Sequence, residues 1–184
     1  MKCFLLLASL ATSLLSARAQ DHPAEKPIVS VGMYGPSANV GLQVEQRVGR
    51  HFSLGVFGTH QFNSDFHGYQ VALVGRYYFR PTAPTGLYLQ AMAGFFDTQA
   101  TVVSYYPRAT AAPRSERTVK GSGGGLGLGY QWRFAQHFTA TIGLGIKAYP
   151  AGLGLCDCAY EHDWYAIGQP GSVLDGQLSI GYAL

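Results

Sequence analysis

The sequence predicts an all-β protein, an eight-stranded antiparallel up-and-down transmembrane β-barrel. Two segments, 121–134 and 138–149, alternate strictly between apolar and small or polar residues, and a period of two is typical of β-strands. The three residues from Ala135 to His137 separate these segments, which therefore form a hairpin. One face of the hairpin is apolar with aromatic ends, and the other is mostly Gly, Gln and Thr. This pattern indicates a barrel with lipid outside and a polar lumen.

The composition supports the same fold class. The chain has 184 residues, enough for one domain, and charged residues make up 12% of it, about half the share usual in soluble domains. No run of about 18 apolar residues is present, so the sequence offers no candidate transmembrane helix. The formal net charge of +3 falls to +1 if Lys2 and Arg18 are removed with an N-terminal leader. A near-neutral chain gives no basis for nucleic-acid binding.

The N-terminus has the features of a secretory signal peptide. Lys2 supplies the positive start, residues 4–15 form a short apolar core, and an A-x-A cleavage site ends at Ala19. We therefore predict a signal peptide at 1–19 and an outer-membrane β-barrel domain at 20–184. A short membrane anchor is the alternative, which the length of the apolar run disfavours.

Eight strands are predicted from apolar alternation between turn and loop residues. A Gly-Pro-Ser-Ala turn at 35–38 separates the first two strands. The third strand has a less regular parity, because Phe57 falls on the face opposite Leu54 and Val56. The predicted strands cover 27–34, 39–48, 52–62, 68–79, 87–96, 121–134, 138–149 and 172–184.

The lengths of the connections predict the topology. Short turns are expected at 49–51, 80–86 and 135–137, and long loops at 97–120 and 150–171. If the N-terminus lies in the periplasm, all three short turns are periplasmic and both long loops are outside the cell. Short inner turns, long outer loops and an even number of strands are typical of single-chain outer-membrane barrels.

Aromatic residues cluster at the predicted strand ends, as expected for the two aromatic girdles of a membrane barrel. At the ends joined by short turns lie Phe52, Tyr77, Phe79, Trp132, Phe134, Phe138 and Tyr182. At the opposite ends lie Tyr34, Phe62, Tyr69 and Phe95.

Several segments together resemble a known family. The sequence is similar to the small eight-stranded outer-membrane β-barrel proteins of Gram-negative bacteria, of the OmpA-like transmembrane-domain type, and to a group of uncharacterised envelope barrels. The matching segments are VGLQVEQRVGRHFSLGVFG at 40–58, GRYYF at 75–79, GLYLQAMAG at 86–94, GLGLGYQWRFAQHFTATIGLGI at 125–146 and the terminal LSIGYAL.

The resemblance implies an outer-membrane location and a monomer without cofactors. Outer-membrane lipids, lipopolysaccharide and, during insertion, the barrel assembly machinery are its implied partners. The assembly machinery of such barrels reads the last strand, usually through a C-terminal aromatic. Leu184 replaces that aromatic here, with Tyr182 two residues before it. The uncharacterised group has no established activity to carry over.

Polar residues with inward parity predict a plug in the lumen. The lumen of an eight-stranded barrel is just wide enough for side chains to fill, and buried charges need partners. We expect Glu45 to pair among Arg47, Arg76 and Arg133, and a structural plug is favoured over a gated pore. The inward residues near the periplasmic half are Gln43, Glu45, Arg47, Arg76, Gln131 and Arg133.

A second lumen pair is predicted between the last two strands. Lys147 and Asp175 have inward parity, and they face each other directly if Phe138 lies opposite Leu184. A slip of one residue would turn one of these charges into lipid, so the pair would also fix the strand register.

Two loop features suggest chemistry. Cys156, Cys158 and His162 lie among three carboxylates, and thiolates with an imidazole are good zinc or copper ligands. A C-x-C pair alone lacks a second ligand pair, so a disulfide or two free thiols are favoured over a metal site. The loop predicted at 97–120 carries cations suited to lipopolysaccharide phosphates, although simple solvation is favoured. These cations are Arg108, Arg114, Arg117 and Lys120.

A hydrolase on the same barrel is the alternative function. His60, Ser64 and Asp65 lie near the outer end of the third strand, and a hydrolase needs a nucleophile, a base and an orienting acid. The pattern matches no hydrolase motif, so a girdle His and a turn Ser are favoured. The sequence therefore predicts a non-enzymatic barrel with a structural or surface-interaction role and a filled lumen. No catalytic, cofactor-binding or metal-binding residue is assigned.

Overall fold

A closed antiparallel barrel accounts for the strands of the described chain. The computed structural model describes residues 26–34, 39–62, 66–81, 83–103, 114–148 and 173–184. Each strand pairs with its neighbours in sequence, and β1 closes the barrel against β8. The strands in these ranges are β1 (Ile28–Tyr34), β2 (Asn39–Arg47), β3 (Phe52–Phe62), β4 (Phe66–Tyr78), β5 (Gly86–Val103), β6 (Arg114–Phe134), β7 (Phe138–Ala148) and β8 (Leu174–Ala183). The predicted all-β, eight-stranded up-and-down barrel is confirmed.

Strand ends agree closely with the prediction except in one hairpin. The predicted loop at 97–120 is wrong for most of its length, because β5 continues to Val103 and β6 begins at Arg114. Asp97 faces Lys120 across this extension. Strand pairing uses backbone hydrogen bonds, which do not depend on side-chain type. The hairpin therefore continues through a polar sequence in which apolar alternation stops. Residues 104–113 and the predicted loop at 150–171 lie outside the described residues.

The two faces of the barrel wall differ sharply in side-chain character. Large apolar side chains are exposed on the outer face of every strand; Leu42, Leu144 and Ile180, for example, are each more than 60% exposed. The inner face buries polar side chains, including Gln43, Glu45, Ser53, Arg76, Gln131, Thr139, Thr141, Lys147 and Ser179. Within the described ranges, the structure has no helix with the length and apolar character needed to span a bilayer.

The aromatic residues at the strand ends are mostly exposed, as predicted. All seven predicted at the short-turn end, and Phe62, Tyr69 and Phe95 at the other end, lie on the outer surface. Tyr34 is the exception, and its assignment to the outer girdle is wrong. It is buried in the lumen and stacks on Phe57, with ring centroids 5.5 Å apart. This stacking also explains the irregular parity of β3, because Phe57 fills the lumen beside Tyr34.

Short turns close one end of the barrel, which we call the turn end; the opposite end is the loop end. The β6–β7 turn places Ala135 and Gln136 at positive φ angles of 48° and 59°. The turn is tied to β8, because the Ala183 N–H donates to the His137 carbonyl at 2.7 Å. The β4–β5 turn is similarly tied to the β2–β3 turn, since the Ala83 N–H donates to the Arg50 carbonyl at 3.4 Å.

Candidate functional site: the polar network of the lumen

Arg76 lies at the centre of the buried polar network. It projects inward from β4, is 2% exposed, and its guanidinium has five N–H donors. Nε donates to Gln90 at 3.0 Å, and Nη1 donates to Glu45 at 2.5 Å and to Gln131 at 3.0 Å. Nη2 donates to Gln177 at 3.0 Å and to Gln43 at 3.2 Å. The number of donors therefore matches the number of acceptors that surround them.

Glu45 on β2 supplies the negative charge of the network and is as deeply buried as Arg76. Its Oε2 atom accepts from Arg76, and its Oε1 atom accepts from Ser53 at 2.5 Å and from Tyr78 at 2.8 Å. A buried carboxylate needs both an opposite charge and further donors, and this geometry provides them. Removing either charge would leave the other without compensation.

Aromatic and apolar side chains enclose the network. The Arg76 guanidinium carbon lies 4.6 Å from the centroid of the Tyr88 ring, a cation–π distance. Tyr78 and Tyr88 pack with Ala83 toward the turn end. Toward the loop end, a second buried cluster consists of Tyr34, Phe57, Ala72, Val74 and Met92. Between these clusters, two voids measure about 10 Å³ each, roughly the space that one water molecule needs.

The predicted partners of Glu45 are only partly correct. The pair with Arg76 is confirmed. Arg133 is wrong as a buried partner, because it is exposed at the end of β6. Arg47 is half-buried, and its Nε donates to the Gly49 carbonyl at 2.9 Å, in the β2–β3 turn. Arg47 and Arg133 reach solvent because their side chains are long, whereas the short side chains opposite them, Ser53 and Thr139, stay buried.

Sequence reasoning missed four polar members of the network: Ser53, Tyr78, Gln90 and Gln177. All four have the inward parity of their strands, and that signal was available. Parity gives the face of each residue but not its height in the barrel. It therefore does not show that side chains from β2, β3, β4, β5, β6 and β8 reach the same guanidinium and carboxylate.

The Lys147–Asp175 pair is confirmed, but the register predicted for it is wrong. The Lys147 Nζ and Asp175 Oδ1 atoms lie 3.3 Å apart in the lumen. Phe138 faces Tyr182 rather than Leu184, so Asp175 faces Gly145. The shift of two residues keeps both charges on the inner face, and the long Lys side chain reaches Asp175 diagonally.

A separate polar cluster lies on the outer surface at the loop end. Lys120 Nζ lies 2.7 Å from Asp97 Oδ2, and the Tyr69 hydroxyl donates to the same carboxylate oxygen at 3.4 Å. The hydrogen bond to Asp97 raises the pKa of Lys120. With Phe95, these side chains line an open pocket of about 410 Å³. The apolar outer face therefore ends here, because polar residues occupy the outward positions beyond Phe95.

The residues considered for catalysis and metal binding are not brought together in the described structure. His60 is exposed and packs against Phe62, with ring centroids 4.6 Å apart, while Ser64 and Asp65 lie outside the described residues. Cys156, Cys158 and the predicted signal peptide at 1–19 also lie outside them. Among the described residues, no group of three His, Cys, Asp or Glu side chains is placed to hold a metal ion.

Comparisons with known proteins identify a family and two barrels of related shape. A family model described as "Protein of unknown function (DUF3575)" matches residues 4–168. The N-terminal β-barrel domain of Pseudomonas aeruginosa OprF aligns at 16% identity with a TM-score of 0.46, covering 88% of this chain and 100% of that one. The Yersinia pestis outer membrane protein Ail aligns at 13% identity with a TM-score of 0.44, covering 87% and 99%. Among curated proteins, none matches significantly.

Proposed function

The chain belongs to the DUF3575 family of proteins of unknown function, and we propose that it is a small outer-membrane β-barrel with a structural or surface-interaction role. We also propose that side chains fill its lumen, so that it is not an open pore. One observation carries this proposal: the barrel exposes most of its large apolar side chains and buries many polar ones. In water this arrangement is unfavourable, whereas in a bilayer each face meets a matching environment.

The height of the apolar surface fits a bilayer. On β7 the exposed apolar positions run from Phe138 through Leu144 to Ile146. A strand of 11 residues, with a rise of about 3.4 Å per residue and a tilt of about 40°, spans roughly 25–30 Å along the barrel axis. That height matches the hydrocarbon core, and the exposed aromatics lie at its two ends.

The packed network supports a closed lumen. Arg76, Glu45 and their amide partners come from five strands, Ser53 adds β3 as a sixth, and apolar clusters lie on both sides. Two voids beside this network measure about 10 Å³ each, roughly the space of one water molecule, which supports a filled lumen. A filled lumen leaves the outer surface and the loop end for interactions. The proposal includes no enzymatic activity.

Export completes the proposal. Cleavage after Ala19 would release the barrel into the periplasm, where the assembly machinery inserts it with the turn end inward. The loop end would then face outside, next to lipopolysaccharide. Protease added to whole cells should cut within 104–113 or 150–171. Cutting only after rupture of the outer membrane would show the opposite orientation.

Membrane insertion is tested with two matched substitutions. The protein is refolded into lipid vesicles and compared with and without boiling on denaturing gels, where a folded barrel migrates anomalously. Leu144→Arg places a charge in the middle of the apolar belt and should cost about 2–4 kcal/mol of folding free energy. Thr118→Arg, on an exposed position beyond the belt, is the control and should fold like the wild type. Equal effects of the two substitutions would contradict insertion.

The closed lumen is tested by conductance in planar bilayers. The inserted wild-type protein should show no steady ionic current, because the network blocks the lumen. A persistent current proportional to voltage would refute the filled lumen and would leave membrane insertion intact.

A further inference from the structure

Exposed cations surround the turn end of the barrel. The lead-in to β1, the three short turns and the end of β8 lie at this end. The lead-in and the turns, with the strand ends next to them, contribute four exposed cations, which we call the cation ring. They are Lys26 before β1, Arg50 in the β2–β3 turn, Arg80 in the β4–β5 turn and Arg133 at the end of β6.

Among the described side chains, no carboxylate forms an ion pair with the cation ring. Among the described side chains at the turn end, the carboxylate is that of Glu45, which is 2% exposed and bound to Arg76. Asp97 and Asp175 lie toward the opposite end and pair with Lys120 and Lys147. A concentration of one charge sign creates a local potential that attracts ions of the opposite sign. The turn end is therefore suited to an anionic partner.

The position of the cation ring identifies the partner as a lipid. Arg80 directly follows Phe79, and Arg50 lies two residues before Phe52, with both rings exposed on the barrel. Arg133 has the inward parity of Gln131 and is exposed at the turn end of the lumen. Aromatic rings of membrane barrels lie at the level of the lipid head groups. Cations within one or two residues of these rings reach the phosphates by extending their side chains. A soluble partner would not require this adjacency.

We propose that the cation ring binds the phosphate groups of anionic phospholipids in the leaflet at the turn end. This inference rests on the proposed membrane insertion and adds a lipid class to it. The guanidinium groups of Arg50, Arg80 and Arg133 match phosphate oxygens in a bidentate geometry. The four segments that carry the ring are distributed around the barrel, so several lipid molecules are bound at once.

Fluorescence quenching of Trp132 measures this preference next to the ring. The chain has two tryptophans, so Trp164→Phe leaves Trp132 as the single indole, which lies exposed beside Arg133. The protein is inserted into phosphatidylcholine vesicles that contain either brominated phosphatidylglycerol or brominated phosphatidylcholine. The quenching by the first lipid divided by the quenching by the second gives the affinity for phosphatidylglycerol relative to phosphatidylcholine. One cation near an anionic lipid should raise the affinity for phosphatidylglycerol about fivefold, and high salt should lower this preference.

Two variants separate charge from other effects. Changing all four ring residues to Gln should bring the affinity ratio to about one. A variant with Arg50→Lys, Arg80→Lys and Arg133→Lys keeps the charge and should keep most of the preference. Lys120→Gln removes a charge at the loop end and should leave the ratio unchanged.

The outcomes also separate this inference from membrane insertion. An inserted wild-type protein with a ratio near one would overturn the proposal, as would a preference that survives the four Gln substitutions. A soluble anionic partner for the ring would produce the first of these results. Failure of both brominated lipids to quench Trp132, with no heat-modifiable band, would instead refute the insertion on which the proposal rests.

Discussion

Lys147 and Asp175 form an ion pair across the β7–β8 ladder although they are not opposite each other. Asp175 faces Gly145, and the Lys147 N–H donates to the Val173 carbonyl at 2.8 Å. The side chains meet diagonally, with Nζ and Oδ1 3.3 Å apart. A diagonal pair needs one long side chain, and Lys147 supplies it.

The ion pair should contribute a measurable coupling energy. Lys147→Met and Asp175→Leu should each cost about 3–5 kcal/mol of folding free energy in bilayers, because each leaves a charge unpaired in the lumen. The double variant should cost much less than the sum, as measured by urea unfolding. Asp175→Leu combined with Gln136→Gly, at the opposite end of the barrel, is the control and should be additive. If the free-energy costs of Lys147→Met and Asp175→Leu were simply additive in the double variant, the two charges would not interact.

The central pair should be more sensitive to the loss of one partner than to the loss of both. Arg76→Met should cost about 3–5 kcal/mol, because Glu45 stays buried without its cation. Adding Glu45→Gln should restore part of this loss, since the remaining network is then uncharged. Ser53→Ala removes one neutral donor to the charged carboxylate and should cost less, about 1.5–3 kcal/mol. If Arg76→Met cost no more than Ser53→Ala, the network would not hold charged groups in a buried site.

The β6–β7 turn should be stabilised by glycine. Gln136 has a φ of 59°, in the left-handed region that costs an L-residue roughly 1–2 kcal/mol. Gln136→Gly should therefore raise the free energy of unfolding by about 1 kcal/mol, measured as a higher urea midpoint. Gly86→Ala is the reverse test: Gly86 has a φ of 105° and an added Cβ would meet nothing within 4 Å, so any loss reports backbone strain alone. A destabilising Gln136→Gly would contradict the turn conformation.

The close packing of Tyr88 should forbid a side chain at Gly129. An added Cβ at Gly129 would overlap the Tyr88 hydroxyl and lie 2.6 Å from the Ile142 carbonyl oxygen. Gly129→Ala should cost about 1–3 kcal/mol, since backbone and a buried ring must move. At Gly75 an added Cβ would meet Leu54 at 3.6 Å, an ordinary contact, so Gly75→Ala is the control and should be nearly neutral. Equal stability of the two variants would show that the lumen around Tyr88 is loosely packed.

The sequence by itself determined the number of strands, their faces and the ends of most of them. A period of two assigns each residue to one side of the wall, and this sufficed for Glu45, Arg76, Lys147 and Asp175. Turn chemistry located the short connections. These signals are local, since each depends on residues close together in the chain.

The tertiary structure decided which inward residues meet. A strand that slides by two residues keeps every side chain on its face, so the pattern is equally consistent with Phe138 facing Leu184 or Tyr182. Side-chain length also decides burial near the turn end: Arg133 shares the parity of Gln131 but stays exposed, whereas the shorter Thr139 opposite it is buried. Tyr34 has the inward parity of Ile28 and Ser30, but its stacking on Phe57 of β3 joins two residues that are far apart in the sequence. Register and height depend on contacts between distant strands, and alternation within one strand does not encode them.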